Sequence, residues 1–145
     1  MKITDVLLKK MYNHATQTYP RECFGFLVGS FEEGGSVKQV ITGTNLNADR
    51  NDRFEMDPTE FIKVEQKAEK AELEIIGFYH SHPDWPPIPS QTDILFAWEG
   101  SYYVIVSIFQ GQPLNTRVWQ LAEDSPKRFI PLSLEIVDEQ VWLSE

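Results

Sequence analysis

Apolar side chains at the start of the chain recur at the spacing of an amphipathic helix. They lie on one face of a helical turn and stop before Pro20, a residue that an α-helix interior does not tolerate. The sequence therefore predicts a first helix with Ile3, Leu7, Leu8, Met11, Tyr12 and Ala15 on its buried face.

Two short apolar runs follow this helix and predict a β-hairpin. The runs are "ECFGFLVG", residues 22–29, and "VKQVIT", residues 37–42, and the turn-rich "SFEEGGS" separates them. The polar stretch "NLNADRNDRFEMDP", residues 45–58, then predicts an exposed loop.

A second helix is predicted directly after this loop, where Asp57 offers a side-chain cap and Pro58 fits the first helical position. Glu60 stands where a capping box places its carboxylate. The buried stripe of this helix consists of Phe61, Val64, Ala68 and Ala71.

The second half of the chain is rich in β-favouring residues. The runs "EIIGFYHSH" (74–82) and "YYVIVSIF" (102–109) are apolar at successive positions, as in central strands that are covered on both faces. The run "TRVWQLA" (116–122) follows a "QGQP" turn as a further strand, and "KRFIPLSLEIV" (127–137) supplies one more. Between the two central runs, "SQTDILFAWEG" predicts a third helix that ends at Gly100, and the acidic end of the chain reads as a surface tail.

Length and composition indicate one folding unit. The chain has 145 residues, of which 41% are hydrophobic and 12% aromatic, which is enough to close a single core. The sequence therefore predicts a single domain over residues 1–145.

Charge narrows the classes of partner. Lys and Arg total 13 against 22 Asp and Glu, and the net charge of -9 repels nucleic-acid phosphates and anionic lipid. We therefore expect neither nucleic acid nor a membrane as the partner. The amino-terminal residues lack the features of a signal peptide, and no segment approaches about 18 consecutive apolar residues, which predicts a cytoplasmic protein. The single cysteine, Cys23, fits a reducing compartment.

The stretch "HSHPDWPPIPSQTD", residues 80–93, concentrates residues that bind metals. His80 and His82 project from the same face of a strand, so both imidazoles can reach one ion. Asp93 falls in the first turn of the next helix, and four prolines restrict the intervening loop. Three protein ligands with an open fourth position are typical of a catalytic zinc site, so the pattern predicts one Zn²⁺ per chain.

A purely structural interpretation of this stretch remains open. Ser90 and Asp93 form a Ser-x-x-Asp capping box, whose role could be limited to starting a helix. The histidines could be partly exposed side chains without a ligand. Capping and metal binding are compatible in one structure. A hydrolase also needs a proton shuttle, and Glu22 is a candidate because it opens an apolar strand, although spacing alone does not separate it from Glu55 or Glu74.

The combination of Glu22, the run His80-Ser81-His82-Pro83, Ser90 and Asp93 resembles the signature of the JAMM metalloproteases, also called the MPN-plus domain. The resemblance implies an α/β (α+β) fold with a curved mixed β-sheet flanked by helices, similar to that of cytidine deaminases. It also implies that His80, His82 and Asp93 ligate zinc, that Glu22 acts as general base and then acid, and that Ser90 donates a hydrogen bond to the oxyanion.

The resemblance further implies a class of substrate. JAMM enzymes mostly cleave amide or isopeptide bonds after the C-terminal glycines of ubiquitin or ubiquitin-like proteins, and this chain resembles the short, stand-alone prokaryotic type. We therefore expect a ubiquitin-like or sulfur-carrier protein with an extended C-terminal tail as the partner. The segment "RFEMDP", Arg53 to Pro58, is a candidate strand edge for that tail, and an ordinary loop is the alternative.

Four rival interpretations stay open at this stage. Cys23 could be the nucleophile of a cysteine hydrolase, although a lone cysteine in an apolar strand is more often a buried side chain. The domain could be a non-catalytic scaffold or binding module, a zinc amidase acting on a free small molecule, or a domain similar to the JAMM-like domains linked to DNA repair. The acidic charge disfavours the last of these.

Overall fold

A computed structural model describes residues 1–47, 55–95, 97–98, 100–122 and 127–138. Within these ranges the helices are α1 (Asp5–Thr18), α2 (Pro58–Lys70) and α3 (Gln91–Leu95). The strands are β1 (Lys2–Thr4), β2 (Phe24–Ser30), β3 (Ser36–Thr42), β4 (Glu74–Pro83), β5 (Tyr102–Phe109), β6 (Gln112–Leu121), β7 (Phe129–Leu132) and β8 (Glu135–Val137). The strands form one mixed sheet in the order β7-β6-β5-β4-β2-β3-β1-β8, which confirms the predicted α/β (α+β) class.

The two apolar runs that predicted central strands, β4 and β5, lie side by side in the middle of the sheet and are parallel. Two parallel neighbours need a crossover connection, and here residues 84–101 make it. The crossover starts at the carboxyl end of β4 and carries α3. This connection brings the start of α3 back to the strand that contains His80 and His82.

The sheet has a hydrophobic core on each face because successive residues of its central strands point to opposite sides. On one face, Leu8 and Met11 of α1 pack in a cluster with Val104 of β5. On the other face, Val64 of α2 packs in a cluster with Tyr103. The second core is rich in aromatic side chains, and these lie next to the predicted metal site.

Both ends of the described chain differ from the prediction. The first helix begins at Asp5 rather than near Ile3, because Lys2–Thr4 form a strand that pairs in parallel with β8 and β3. Thr4 then caps α1 by accepting a hydrogen bond from the Leu7 N–H. The single strand predicted over residues 127–137 is two strands, β7 and β8, at opposite edges of the sheet. The predicted acidic tail falls mostly within 139–145, outside the described residues.

The two described ends of the loop between β3 and α2 pair with each other. Asn45 and Met56 form an antiparallel bridge, and residues 48–54 lie outside the described part of the chain. Asp57 caps α2 as predicted, by accepting from the Thr59 N–H. The predicted role of Glu60 in a capping box is wrong, because its carboxylate accepts hydrogen bonds from the backbone and hydroxyl of Thr44 instead.

The third helix is shorter than predicted. It ends at Leu95, and Ala97 and Trp98 are not helical. The Trp98 N–H donates to the Tyr103 hydroxyl on β5. In a longer helix this N–H would instead donate to a backbone carbonyl of the helix. None of the described helices is both long enough and apolar enough to cross a membrane.

Candidate metal centre

The two histidines of the motif lie near the carboxyl end of β4 and are both buried. Because side chains alternate along a strand, His80 and His82 share one face while Ser81 points to the other. β2 runs antiparallel to β4 with Phe24 opposite His80. This register places the residues just before β2 beside His82, and Glu22 is among them.

Asp93 reaches the same place from the first turn of α3. The Ser90 hydroxyl accepts a hydrogen bond from the Asp93 N–H at 3.0 Å, and the Asp93 carboxylate accepts one from the Ser90 N–H at 2.8 Å. This reciprocal pair is the predicted capping box. It also holds the carboxylate against the histidines, so capping and a ligand position coexist as the sequence allowed.

Three side chains present ligand atoms at the spacing that a metal ion requires. His80 Nε2 and His82 Nε2 are 3.2 Å apart, and Asp93 Oδ1 and Oδ2 lie 3.3 Å and 3.1 Å from them respectively. Atoms that share a tetrahedral zinc at about 2.0–2.1 Å lie about 3.3–3.4 Å from one another. Two nitrogens and one carboxylate oxygen are also a donor set that zinc accepts, so these residues fit such an ion.

The negative charge of Asp93 favours a positive charge at the cluster, either a proton or a metal ion. Burial opposes protonation of His82, but hydrogen bonding and charge at Asp93 outweigh burial and raise the pKa of His82 above its ordinary value. Burial would raise the pKa of the Asp93 carboxyl, yet the charge of His80 and the hydrogen bonds of both histidines lower it. Asp93 is therefore ionised at neutral pH, as a metal ligand must be.

A backbone contact orients the His82 ring. Its Nδ1 lies 2.8 Å from the carbonyl oxygen of Pro86. Since a carbonyl only accepts, Nδ1 carries the proton, and the lone pair of the neutral ring is on Nε2, which faces His80 and Asp93. This arrangement is typical of metal-binding histidines, whose second nitrogen is fixed by a protein acceptor.

Glu22 is the glutamate that the fold brings to the cluster. It is 3% exposed, and one of its carboxylate oxygens, His80 and His82 offer ligand atoms that all lie within 4.8 Å of one another. Glu55 is exposed at the rim of the adjoining cavity, and Glu74 is exposed at the opposite end of β4. Burial and position therefore distinguish Glu22 from Glu55 and Glu74, which sequence spacing alone could not exclude as the proton shuttle.

A cavity of about 450 Å³ opens beside His80 and Asp93, a volume within the range of small-ligand sites. Its apolar wall consists of Phe24, Met56, Phe78, Trp98 and Tyr103, and its polar wall includes Asn47, Glu55 and Thr92. The sequence interpretation did not identify this wall, in which Trp98 packs edge-on against Phe78. Its aromatic residues come from β2, β4, β5 and the end of the α3 segment, so no local pattern groups them. Of the predicted edge "RFEMDP", Arg53 and Phe54 lie outside the described residues.

Cys23 faces away from this centre. Its side chain is buried in the core on the α1 side of the sheet, and burial raises the pKa of its thiol to about 12. A thiol in this state is inert at neutral pH, which disfavours the cysteine-hydrolase interpretation.

The thiol is accordingly expected to resist chemical modification in the folded protein. Raising a thiol pKa from about 9 to about 12 lowers the thiolate fraction about a thousandfold. Because only the thiolate reacts, dithiodipyridine should label the native protein at least about a hundredfold more slowly than the urea-unfolded chain. Equal rates in the two states would return Cys23 to the list of nucleophiles.

Two peptidases are similar in sequence to about 70% of this chain. A desampylase from Pyrococcus furiosus is 41% identical over 103 residues, which cover 70% of this chain and 68% of the relative. A CysO-cysteine peptidase from Mycobacterium tuberculosis is 35% identical over 103 residues, with the same coverage of 70% and 68%.

Solved structures match the fold. A solution structure of a Desulfitobacterium hafniense protein has a TM-score of 0.78 at 26% identity and covers 96% of this chain and 95% of its own. A JAB1/MPN domain protein from Archaeoglobus fulgidus has a TM-score of 0.60 at 22% identity and covers 95% of this chain and 97% of its own, which supports the fold alone. Residues 4–122 match the sequence profile of the prokaryotic homologs of the JAB domain. The chain therefore belongs to the prokaryotic JAB-domain family, the stand-alone JAMM/MPN type that its motif resembles.

Proposed function

We propose that this protein is a zinc metallopeptidase that hydrolyses an amide or isopeptide bond at the C-terminal tail of a ubiquitin-like or sulfur-carrier protein. One observation carries the proposal: the ligand atoms of His80, His82 and Asp93 lie 3.1–3.3 Å apart, with the buried Glu22 at their side. The whole activity is proposed to reside in one metallopeptidase domain over residues 1–145.

The proposed roles divide between binding and proton transfer. His80, His82 and Asp93 would hold the ion, which when bound supplies Lewis-acid chemistry, polarising a carbonyl and lowering the pKa of water toward neutrality. Glu22 accepts a proton from the attacking water and delivers it to the leaving amine. Its burial beside the centre keeps bulk water from taking over this transfer.

Ser90 is proposed to stabilise the charge that develops on the carbonyl oxygen. Its hydroxyl oxygen already accepts from the Asp93 N–H, which fixes the side chain and leaves the hydroxyl hydrogen to donate. A donor fixed in advance costs little reorganisation when the oxyanion forms. The Ser90 oxygen thus caps the helix, and the Ser90 hydroxyl hydrogen is the proposed donor to the oxyanion.

The substrate class rests on the relatives and on the shape of the site. The relatives named a desampylase and a CysO-cysteine peptidase are 41% and 35% identical to this chain, and the family resemblance points to the tails of ubiquitin-like proteins. The mostly apolar cavity beside Asp93 gives room for a side chain or terminus next to the scissile bond. The same cavity would also accept a free small amide, which is the second candidate.

A cleavage assay tests this proposal. Zinc-loaded protein is incubated with a ubiquitin-like carrier joined through its C-terminal carboxyl to a lysine side chain, with the same carrier joined to free cysteine, and with N-acyl amino acids. Intact mass should show release of the unmodified carrier from at least one conjugate. EDTA should abolish the release and added zinc should restore it, because the ligands lose the ion to the chelator.

The same assay distinguishes the peptidase from a small-molecule amidase and from a scaffold. Faster cleavage of the N-acyl amino acids than of either conjugate would establish a small-molecule amidase instead. A folded, zinc-loaded protein that cleaves none of the three substrates would overturn the peptidase proposal in favour of a scaffold.

A further inference from the structure

The peptide group that follows Glu22 lies outside the regular sheet and is held by two side chains. β2 begins only at Phe24, so no complete strand ladder fixes the backbone of Glu22. The Glu22 carbonyl oxygen accepts a hydrogen bond of 3.0 Å from Asn45 Nδ2, and the Cys23 N–H donates one of 2.8 Å to Ser81 Oγ. Both polar ends of one peptide group are therefore bound by side chains from other segments.

Asn45 can make its contact in only one orientation of its amide. Its Oδ1 accepts from the Asn47 N–H at 2.9 Å and from the Glu55 N–H at 2.8 Å. Two N–H donors require an oxygen, and the Glu22 carbonyl requires a donor, so the partners fix which end is the NH₂. A single half-buried side chain thus joins Glu22 to both described ends of the loop between β3 and α2.

Ser81 approaches the same peptide group from the metal-binding strand. It lies between the two histidines on the opposite face of β4 and is fully buried. Its own N–H donates to the Cys23 carbonyl at 3.3 Å, in addition to the bond that its hydroxyl accepts. The residue between His80 and His82 therefore ties the strand of the ligands to the segment of the general base.

We propose that Asn45 is a positioning residue for Glu22 and that, together with Ser81, it clamps the Glu22–Cys23 peptide so that the Glu22 carboxylate meets the metal centre. The inference rests on the proposed role of Glu22 as general base. It assigns to Asn45 no contact with substrate or metal. Its effect on the reaction passes through the backbone of Glu22.

The clamp also links the general base to the cavity. Glu55 lines the cavity, and its N–H donates to Asn45 Oδ1. The Nδ2 of the same amide donates to the Glu22 carbonyl. A substrate that contacts Glu55 is therefore coupled through Asn45 to the Glu22 backbone. General-base catalysis is sensitive to such placement, since a misplacement of about 1 Å costs about a hundredfold in rate.

Two substitutions at Asn45 separate the clamp from simple ordering of the loop. Asn45→Asp keeps the oxygen that binds Asn47 and Glu55 but loses the donor to Glu22, whereas Asn45→Ala loses all three bonds. We expect Asn45→Asp to lower kcat about 10- to 100-fold with KM within about twofold. Thr44→Ala is the matched control, because the hydroxyl that it removes donates to Glu60 rather than to the Glu22 carbonyl. Its kcat should equal that of the wild type.

Two further readouts exclude a general structural effect. On a Glu22→Gln background, Asn45→Asp should cause no additional loss of kcat, because the group that it positions is already disabled. Amide hydrogen exchange should show the Cys23 N–H exchanging at least about tenfold faster in Asn45→Asp while the core amide of Val104 is unchanged. The zinc content of the variant should match that of the wild type.

The outcomes distinguish this inference from the proposed function. An Asn45→Asp variant with wild-type kcat, or one whose loss persists in full on the Glu22→Gln background, overturns the clamp while leaving the peptidase intact. A wild type without activity, or a Glu22→Gln variant that is fully active, overturns the proposed function itself.

Discussion

Replacement of Glu22 by glutamine is expected to lower kcat by about 10²–10⁴-fold, the usual contribution of a positioned general acid-base group. Glutamine keeps the size of the side chain but cannot accept and return the proton. Because Asp93 rather than Glu22 is the carboxylate in direct contact with both histidines, the variant should keep its metal. Single-turnover cleavage of the conjugate that the wild type releases measures the effect.

Glu74→Gln is the matched control for this substitution. It makes the same chemical change on an exposed residue at the far end of β4 and should leave kcat within about twofold, as for most surface substitutions. A Glu22→Gln variant that is folded, holds zinc and cleaves at the rate of the Glu74→Gln variant would remove Glu22 from the mechanism.

Replacement of His82 by alanine is expected to abolish both activity and stabilisation by zinc. Free zinc at about 100 times its dissociation constant should stabilise the wild type by about 2.7 kcal/mol, because the ion binds the folded site. In a chain of this size that corresponds to an increase in Tm of about 5–10 °C. Without His82 two of the three proposed ligands remain, so the increase should vanish. Thermal unfolding with and without zinc, followed by circular dichroism, measures it.

His14→Ala is the control for this experiment because His14 lies on α1 with Nδ1 2.7 Å from the Tyr79 hydroxyl. Losing that contact should cost about 1 kcal/mol, but the increase in Tm on adding zinc should persist. A His82→Ala variant that zinc stabilises as strongly as it stabilises the wild type would show that the ion binds elsewhere.

The parts of the site that could be predicted from sequence depend on local geometry. His80 and His82 share a face because any strand places alternate residues together, and Ser90 and Asp93 pair because a helix start requires it. The central strands were predicted because both faces of β4 and β5 are apolar. Each of these features is determined within about ten residues of chain, so the pattern of side chains contains it.

The parts that could not be predicted depend on contacts between distant segments. β1 exists because Lys2–Thr4 pair with Glu135–Val137, and three residues carry no pattern of their own. Asn45 appeared to be one polar residue among many in a loop, and only the fold places its amide at the Glu22 carbonyl. Glu22 itself could not be separated from Glu55 by spacing, because the register between β2 and β4 decides which glutamate meets the histidines.

Asp93 is proposed to bind the metal and Glu22 to transfer the proton, and the zinc content of two variants tests this assignment. Elemental analysis of purified wild type, Glu22→Gln and Asp93→Ala, after identical zinc loading and desalting, should give about one zinc per chain for the first two and almost none for folded Asp93→Ala. Zinc retained by Asp93→Ala and lost from Glu22→Gln would reverse these roles, because Glu22 would then be the ligand and the general base would have to be another group.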